Sequence, residues 1–212
     1  MTKLRRVALV PVLCLLLAGG LQVAQGAELA LPEKVIVHDG RTSPPLVDIA
    51  QVRLDASWYW DSQQSVRVNV PNGFRPGHRL TVWFDIKGDS KPDGHYELRL
   101  VQKKPGVKFL KKVQEFRLGG GWGHGGKKVS CSGSEGGTPV VDQIRRGQRS
   151  VGIYLDLWYC LRTPTAGDGS GSWRAAVSVA KGKKADMVPN NRNWSPSVAG
   201  WGPCDPSGGP CN

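Results

Sequence analysis

The sequence predicts an all-β domain, an antiparallel β-sandwich of Ig-like or jelly-roll-like type. Three observations predict it. Apolar and polar residues alternate at period two through the middle of the chain, Pro/Gly turn signals recur at short intervals, and no sustained amphipathic helix competes.

The alternation is clearest in three runs. Val66, Val68 and Val70 alternate with Ser65, Arg67 and Asn69. Leu80, Val82, Phe84 and Ile86 alternate with Arg79, Thr81, Trp83 and Asp85, and Tyr96, Leu98 and Leu100 alternate with Glu97, Arg99 and Val101. Each run has one apolar face for a core and one more polar face for solvent, the pattern of an antiparallel sheet. Pro71-Asn72-Gly73, Pro76-Gly77 and Pro92-Asp93-Gly94 divide the runs, with Pro presetting φ and Gly relieving the tight exit. Lys104-Pro105-Gly106 predicts a turn into a fourth strand over 107–118, although Phe109, Val113 and Phe116 also fit one face of a short helix. The stretch 151–161 is apolar on both sides (Ile153, Leu155, Leu157 and Tyr159 against Tyr154, Trp158 and Cys160), which predicts a strand covered on both faces. Trp173, Ala175, Val177 and Val179 predict a last strand.

The ends read differently. Lys3, Arg5 and Arg6 precede an apolar run over 7–21, and Ala24-Gln25-Gly26 supplies small residues at the −3 and −1 positions of a cleavage site. The run is shorter than the ~20 residues a bilayer core demands, so it reads as a cleaved signal peptide, 1–26, rather than an anchor. The expected organisation is then an extended segment at 27–48, the sandwich at 49–180, and an irregular Pro/Gly-rich tail at 181–212. Cleavage of 26 residues from 212 leaves 186, enough for a real core. It removes three of the 29 basic residues and none of the 17 acidic ones, so the net charge falls from +12 to +9. The expected location is the periplasm or the outside of the cell.

Cys14 leaves with the signal, and Cys131, Cys160, Cys204 and Cys211 remain. An even count in an exported chain predicts two disulfides. Of the three pairings that four cysteines allow, Cys131–Cys160 with Cys204–Cys211 is favoured, because the second pair closes a short Pro/Gly segment.

Candidate chemistry is sparse. The run GGGWGHGG at 119–126 reads as a surface loop that would be costly to order, and it carries Trp122 and His124. An exposed imidazole can bind metal or move protons, but His38, His78 and His95 stand singly with no i, i+4 partner, so no metal site is assigned. Asp85, Asp89 and Asp93 are spaced by four, loosely like a calcium loop. Lys87 and Lys91 among them favour a polar hairpin turn. There is no G-x-S-x-G elbow and no S-x-x-K, and bridged cysteines offer no thiolate, so the motifs weigh against an enzyme and no cofactor is expected.

Aromatics and cations are the remaining signal. There are eight tryptophans, and Trp58 and Trp60 in ASWYWDS, together with Trp83 on the polar face beside Arg79, could stack on a ligand or be covered by another layer. Basic residues cluster around the 96–118 hairpin, Lys111 and Lys112 among them, where they would attract an anionic glycan, a lipid headgroup or an acidic protein, or simply keep the chain soluble. No nucleic-acid motif is visible. The expectation is a non-catalytic exported binding protein contacting its ligand through Trp58, Trp60, Arg79, Trp83, Lys111, Lys112, Trp122 and His124. A secreted inhibitor or immunity protein that inserts a loop into its partner is the first alternative, and a secreted hydrolase the second.

Overall fold

The structure, a computed structural model, describes residues 31–40, 43–56, 64–102, 104–131, 139–161 and 171–200. The segment 1–26, Trp58, Trp60, Cys204 and Cys211 lie outside the described residues.

Among the described residues, twelve strands and one short α-helix follow in chain order, with a 3-10 turn at Asn190–Arg192: β1 (Lys34–His38), β2 (Gln51–Asp55), β3 (Gln64–Asn69), β4 (Arg79–Asp85), β5 (Gly94–Gln102), β6 (Leu110–Leu118), β7 (Lys127–Val129), β8 (Val140–Val141), β9 (Ser150–Leu155), α1 (Leu157–Leu161), β10 (Ser172–Lys181), β11 (Lys184–Val188) and β12 (Val198–Ala199). They form two sheets. One has the order β1-β2-β3-β9-β8, and the other has the order β11-β10-β4-β5-β6-β7 with β12 also paired to β10. The two pack against each other as an antiparallel β-sandwich.

Register explains the core. Leu54, Val66 and Ile153 sit directly opposite one another across β2, β3 and β9. Val177, Val82 and Tyr96 do the same across β10, β4 and β5. Side chains paired in this way share a face, so the period-two alternation of each strand turns one row of every sheet inward. All six of these residues are buried in one cluster. Burying a side chain of this size stabilises by about 1.5–3 kcal/mol.

Two sequence expectations change, while the strand expected over 107–118 is borne out as β6. β6 pairs with β5 along its whole length, from Gln102 opposite Leu110 to Gly94 opposite Leu118. Val113 is therefore exposed while Phe116 is buried, where a helix would have put both on one face. The expected strand at 151–161 stops at Leu155. Asp156 takes the N-cap position, its Oδ1 accepting the Tyr159 N–H, and α1 follows. The Gln64 side chain, buried in the neighbouring β3, accepts the Leu157 N–H. The short helix turns Tyr159 outward and Cys160 inward.

The sandwich also extends beyond 49–180. β1 lies in the expected extended segment, paired over its length with β2. At the other end, β11 folds back on β10 through Gly182, which holds a φ of 61°. Residues 193–200 then return across the sheet. Ser195 Oγ accepts the Ala175 N–H, and Val198 is fully buried. Cys131, after β7, and Cys160, in α1, stand at disulfide distance with Cα atoms 4.7 Å apart. No described helix is long and apolar enough to cross a membrane.

Candidate functional site

The outer face of the larger sheet carries most of the described candidate residues. Its register sets Trp83 opposite His95, Thr81 opposite Glu97 and Arg79 opposite Arg99. On the far side of β5, His95 faces Arg117, Glu97 faces Glu115, Arg99 faces Val113 and Val101 faces Lys111. One end of the face is thus aromatic and the other cationic, with acids between them.

At the aromatic end Trp83 is 4% exposed, not solvated as its place on the polar side of the strand suggested. The 119–126 loop covers it. Trp122 packs at 5.8 Å and His124 at 6.1 Å from the Trp83 ring, and Trp122 in turn lies 4.7 Å from Trp194. The loop is a folded turn rather than an open linker. Gly119 N–H donates to the Asp93 carbonyl, and Arg117 Nη1 donates to the Gly126 carbonyl. Gly120 has a φ of 83°, and a Cβ there would strike the Gly125 carbonyl. Trp194 is anchored as well, with its indole N–H donating to the Ser90 carbonyl and the Arg174 guanidinium over its ring.

Burial lowers the pKa of both histidines of this end. His95 is fully buried, both ring nitrogens lack a hydrogen-bond partner among the described residues, and burial lowers its pKa. His124 is lowered first by burial and then by Arg79, and its Nδ1 donates to Glu97 Oε2 at 3.1 Å.

The hairpin carboxylates are occupied by their own turn. Asp85 accepts the Gly88 and Ser90 N–H groups and binds Arg174 through Nε and Nη2. Asp93 accepts the Ile86 and Lys87 N–H groups and pairs with Lys87.

The cationic end is open. A pocket of about 280 Å³ is lined by Gly77, His78, Arg79, Arg99, Val101 and Gly182, among others. Glu97 is shared, accepting from Arg99 Nε at 3.1 Å as well as from His124. Arg79 makes no ion pair among the described residues. His78, buried on the pocket wall, has its pKa lowered to about 4 by burial and by the charges of Lys181 and Arg75, so it adds no positive charge and offers no acid. Opposite Glu97, burial alone would raise Glu115, but hydrogen bonds from Arg117 and Lys128 hold it below the usual carboxylate range.

The predicted residues therefore divide. Arg79 lines the pocket, and Lys111 stands on the same face, beyond Val101. Trp83, Trp122 and His124 form the covered aromatic end. Lys112 belongs elsewhere: it faces the other side of the sheet, and its Nζ donates to the Val141 carbonyl at 2.6 Å, bridging to the smaller sheet. Arg99 and Glu97 were missed, although their alternation with Leu98 and Leu100 had put them on the polar face. Trp194 had no local signal. No protein-family model, curated protein or solved structure matches this chain.

Proposed function

We propose that this chain is an exported, non-catalytic binding protein that takes an anionic group, from an acidic glycan or a lipid headgroup, at the Arg79–Arg99 end of the larger sheet. The observation that carries the reading is Arg79, a guanidinium with no carboxylate partner among the described residues, directly opposite Arg99 across two strands. Two adjacent guanidinium forks suit the paired oxygens of a carboxylate, sulfate or phosphate. Small-molecule clefts run upward from roughly 300 Å³. At about 280 Å³, this pocket has room for a headgroup or one acidic sugar unit, not for a whole lipid. Lys111 and the exposed Val101 and Val113 extend the same face. Export is supported by the 1–26 segment and by the bridged cysteine pair.

The inhibitor reading is weaker, because the glycine loop it needs as a projecting wedge is packed down on Trp83. The Trp-stacking form of glycan binding loses Trp83 for the same reason.

Equilibrium binding to a sulfated polysaccharide and to vesicles of anionic lipid, at about 50 and 500 mM salt, tests the proposal. Either probe should bind at low salt and be released at high salt. Arg79→Glu should weaken binding by about 10–100-fold, the loss of a charge-assisted contact. If neither probe binds, or Arg79→Glu binds as tightly as the native chain, the proposal fails.

A further inference from the structure

A second cluster lies away from this pocket, where the edges of the two sheets meet. Asp39, just past β1, Asp48, just before β2, and Asp186, within β11, each bring a carboxylate oxygen within 4.8 Å of the other two. Asp186 pairs in register with Val179, a core residue, so its side chain turns inward between the sheets. It is 4% exposed, and it accepts the Ile49 N–H at 2.7 Å and the Ser43 hydroxyl. Asp48 is 5% exposed, and its Oδ1 has no hydrogen-bond partner among the described residues. Neither Asp48 nor Asp186 is ion-paired with a described lysine or arginine.

A buried carboxylate oxygen that no described donor reaches, with two further carboxylate oxygens within 4.8 Å, is unfavourable unless a cation stands among them. We infer that Asp39, Asp48 and Asp186 form a calcium site. The offered donors are all carboxylate oxygens, which select a hard cation. Oxygens up to 4.8 Å apart can share an ion that binds each at roughly 2.3–2.6 Å, as calcium does, whereas magnesium at roughly 2.0–2.1 Å wants a tighter set. The ion clamps the β1–β2 pair, at the edge of the smaller sheet, to β11 at the edge of the larger one. This site is independent of the anion pocket and stands or falls separately from it.

Calcium titration of the chelator-treated, oxidised protein, followed by calorimetry and by thermal unfolding, tests the site. One ion per chain should bind with half-saturation at about 0.1–1 mM, the range of extracellular calcium modules. Calcium at about 10 mM should raise Tm by about 3–6 °C over chelator. Asp48→Asn keeps the side-chain shape and removes its charge, so it should weaken calcium binding at least about 10-fold and abolish the Tm shift. If Asp48→Asn does not fold, the native chain decides alone. No calcium-dependent shift, tighter binding of magnesium than of calcium, or undiminished binding by folded Asp48→Asn overturns the assignment.

Discussion

Burial holds the His78 imidazole at a pKa of about 4, and the neighbouring charges of Lys181 and Arg75 push it the same way. The residue is 1% exposed, with Phe74 edge-on to its ring and the Arg75 N–H donated to its Nδ1. Its folded pKa lies below the unfolded value of about 6.5, so on acidification the unfolded chain takes up the proton first. The stability tied to this group is therefore fully present above pH 6.5 and is lost as pH falls toward 4. The shift is worth at most about 3 kcal/mol. His95 and His124 move in the same direction, each with burial as the leading cause, so they add to the slope rather than oppose it. Urea unfolding at several pH values between 7.5 and 4.5 should show falling stability in the native chain. His78→Gln, whose side-chain oxygen can still accept the Arg75 N–H, should flatten that fall by about 1–3 kcal/mol. Equal slopes for the two proteins would rule out His78 as a source of the pH dependence.

Among the elements, the 119–126 turn does the most to define the candidate face, since it decides whether Trp83 meets solvent. Gly120 is its weak point, combining a positive φ with a Cβ position already taken by the Gly125 carbonyl. Gly120→Ala should open the turn at a cost of about 1–3 kcal/mol and leave the sheets intact. Acrylamide quenching of tryptophan emission should rise and the emission should shift to the red, with unchanged far-UV circular dichroism. A variant with native quenching would show that the turn tolerates the substitution and that its packing on Trp83 is not held by Gly120. The same turn marks the limit of what was legible locally. Alternation placed Trp83 on the outer side of β4 correctly, but its cover comes from residues 119–126 and from Trp194, which no local pattern links to β4. The strand at 107–118 was ambiguous because Phe109, Val113 and Phe116 also fit one face of a helix, and only pairing with β5 separates the two readings. At 151–161 continuous apolarity hid a change of element that the capping carboxylate of Asp156 brings about.

At the scale of the whole molecule, the two-sheet architecture was readable because every core strand repeats one pattern and turn residues separate the repeats. Closure of the sandwich was not. It depends on pairs distant in sequence: Lys112 reaching the Val141 carbonyl, Asp186 reaching the Ile49 N–H, and Cys131 meeting Cys160. Spacing could propose the cysteine pair but could not reveal that both partners sit inside the core. Cys131 follows β7 at the edge of the larger sheet, and Cys160 lies in the helix that leaves β9 of the smaller one, so the bridge ties the sheets together at that end. It closes a separation of 29 residues, and the loop-closure entropy removed from the unfolded chain is worth about 3–4 kcal/mol. Because both sulfurs are buried, replacing the pair by alanine also forfeits some packing, which adds to the loss instead of offsetting it. Cys131→Ala/Cys160→Ala should therefore lower the stability measured by urea unfolding by at least about 3 kcal/mol. The spectrum of the folded state should be unchanged at low denaturant, since the strands on either side are fixed by their own registers. A double variant within about 1 kcal/mol of the native chain would mean that the sheets hold this end without the bridge.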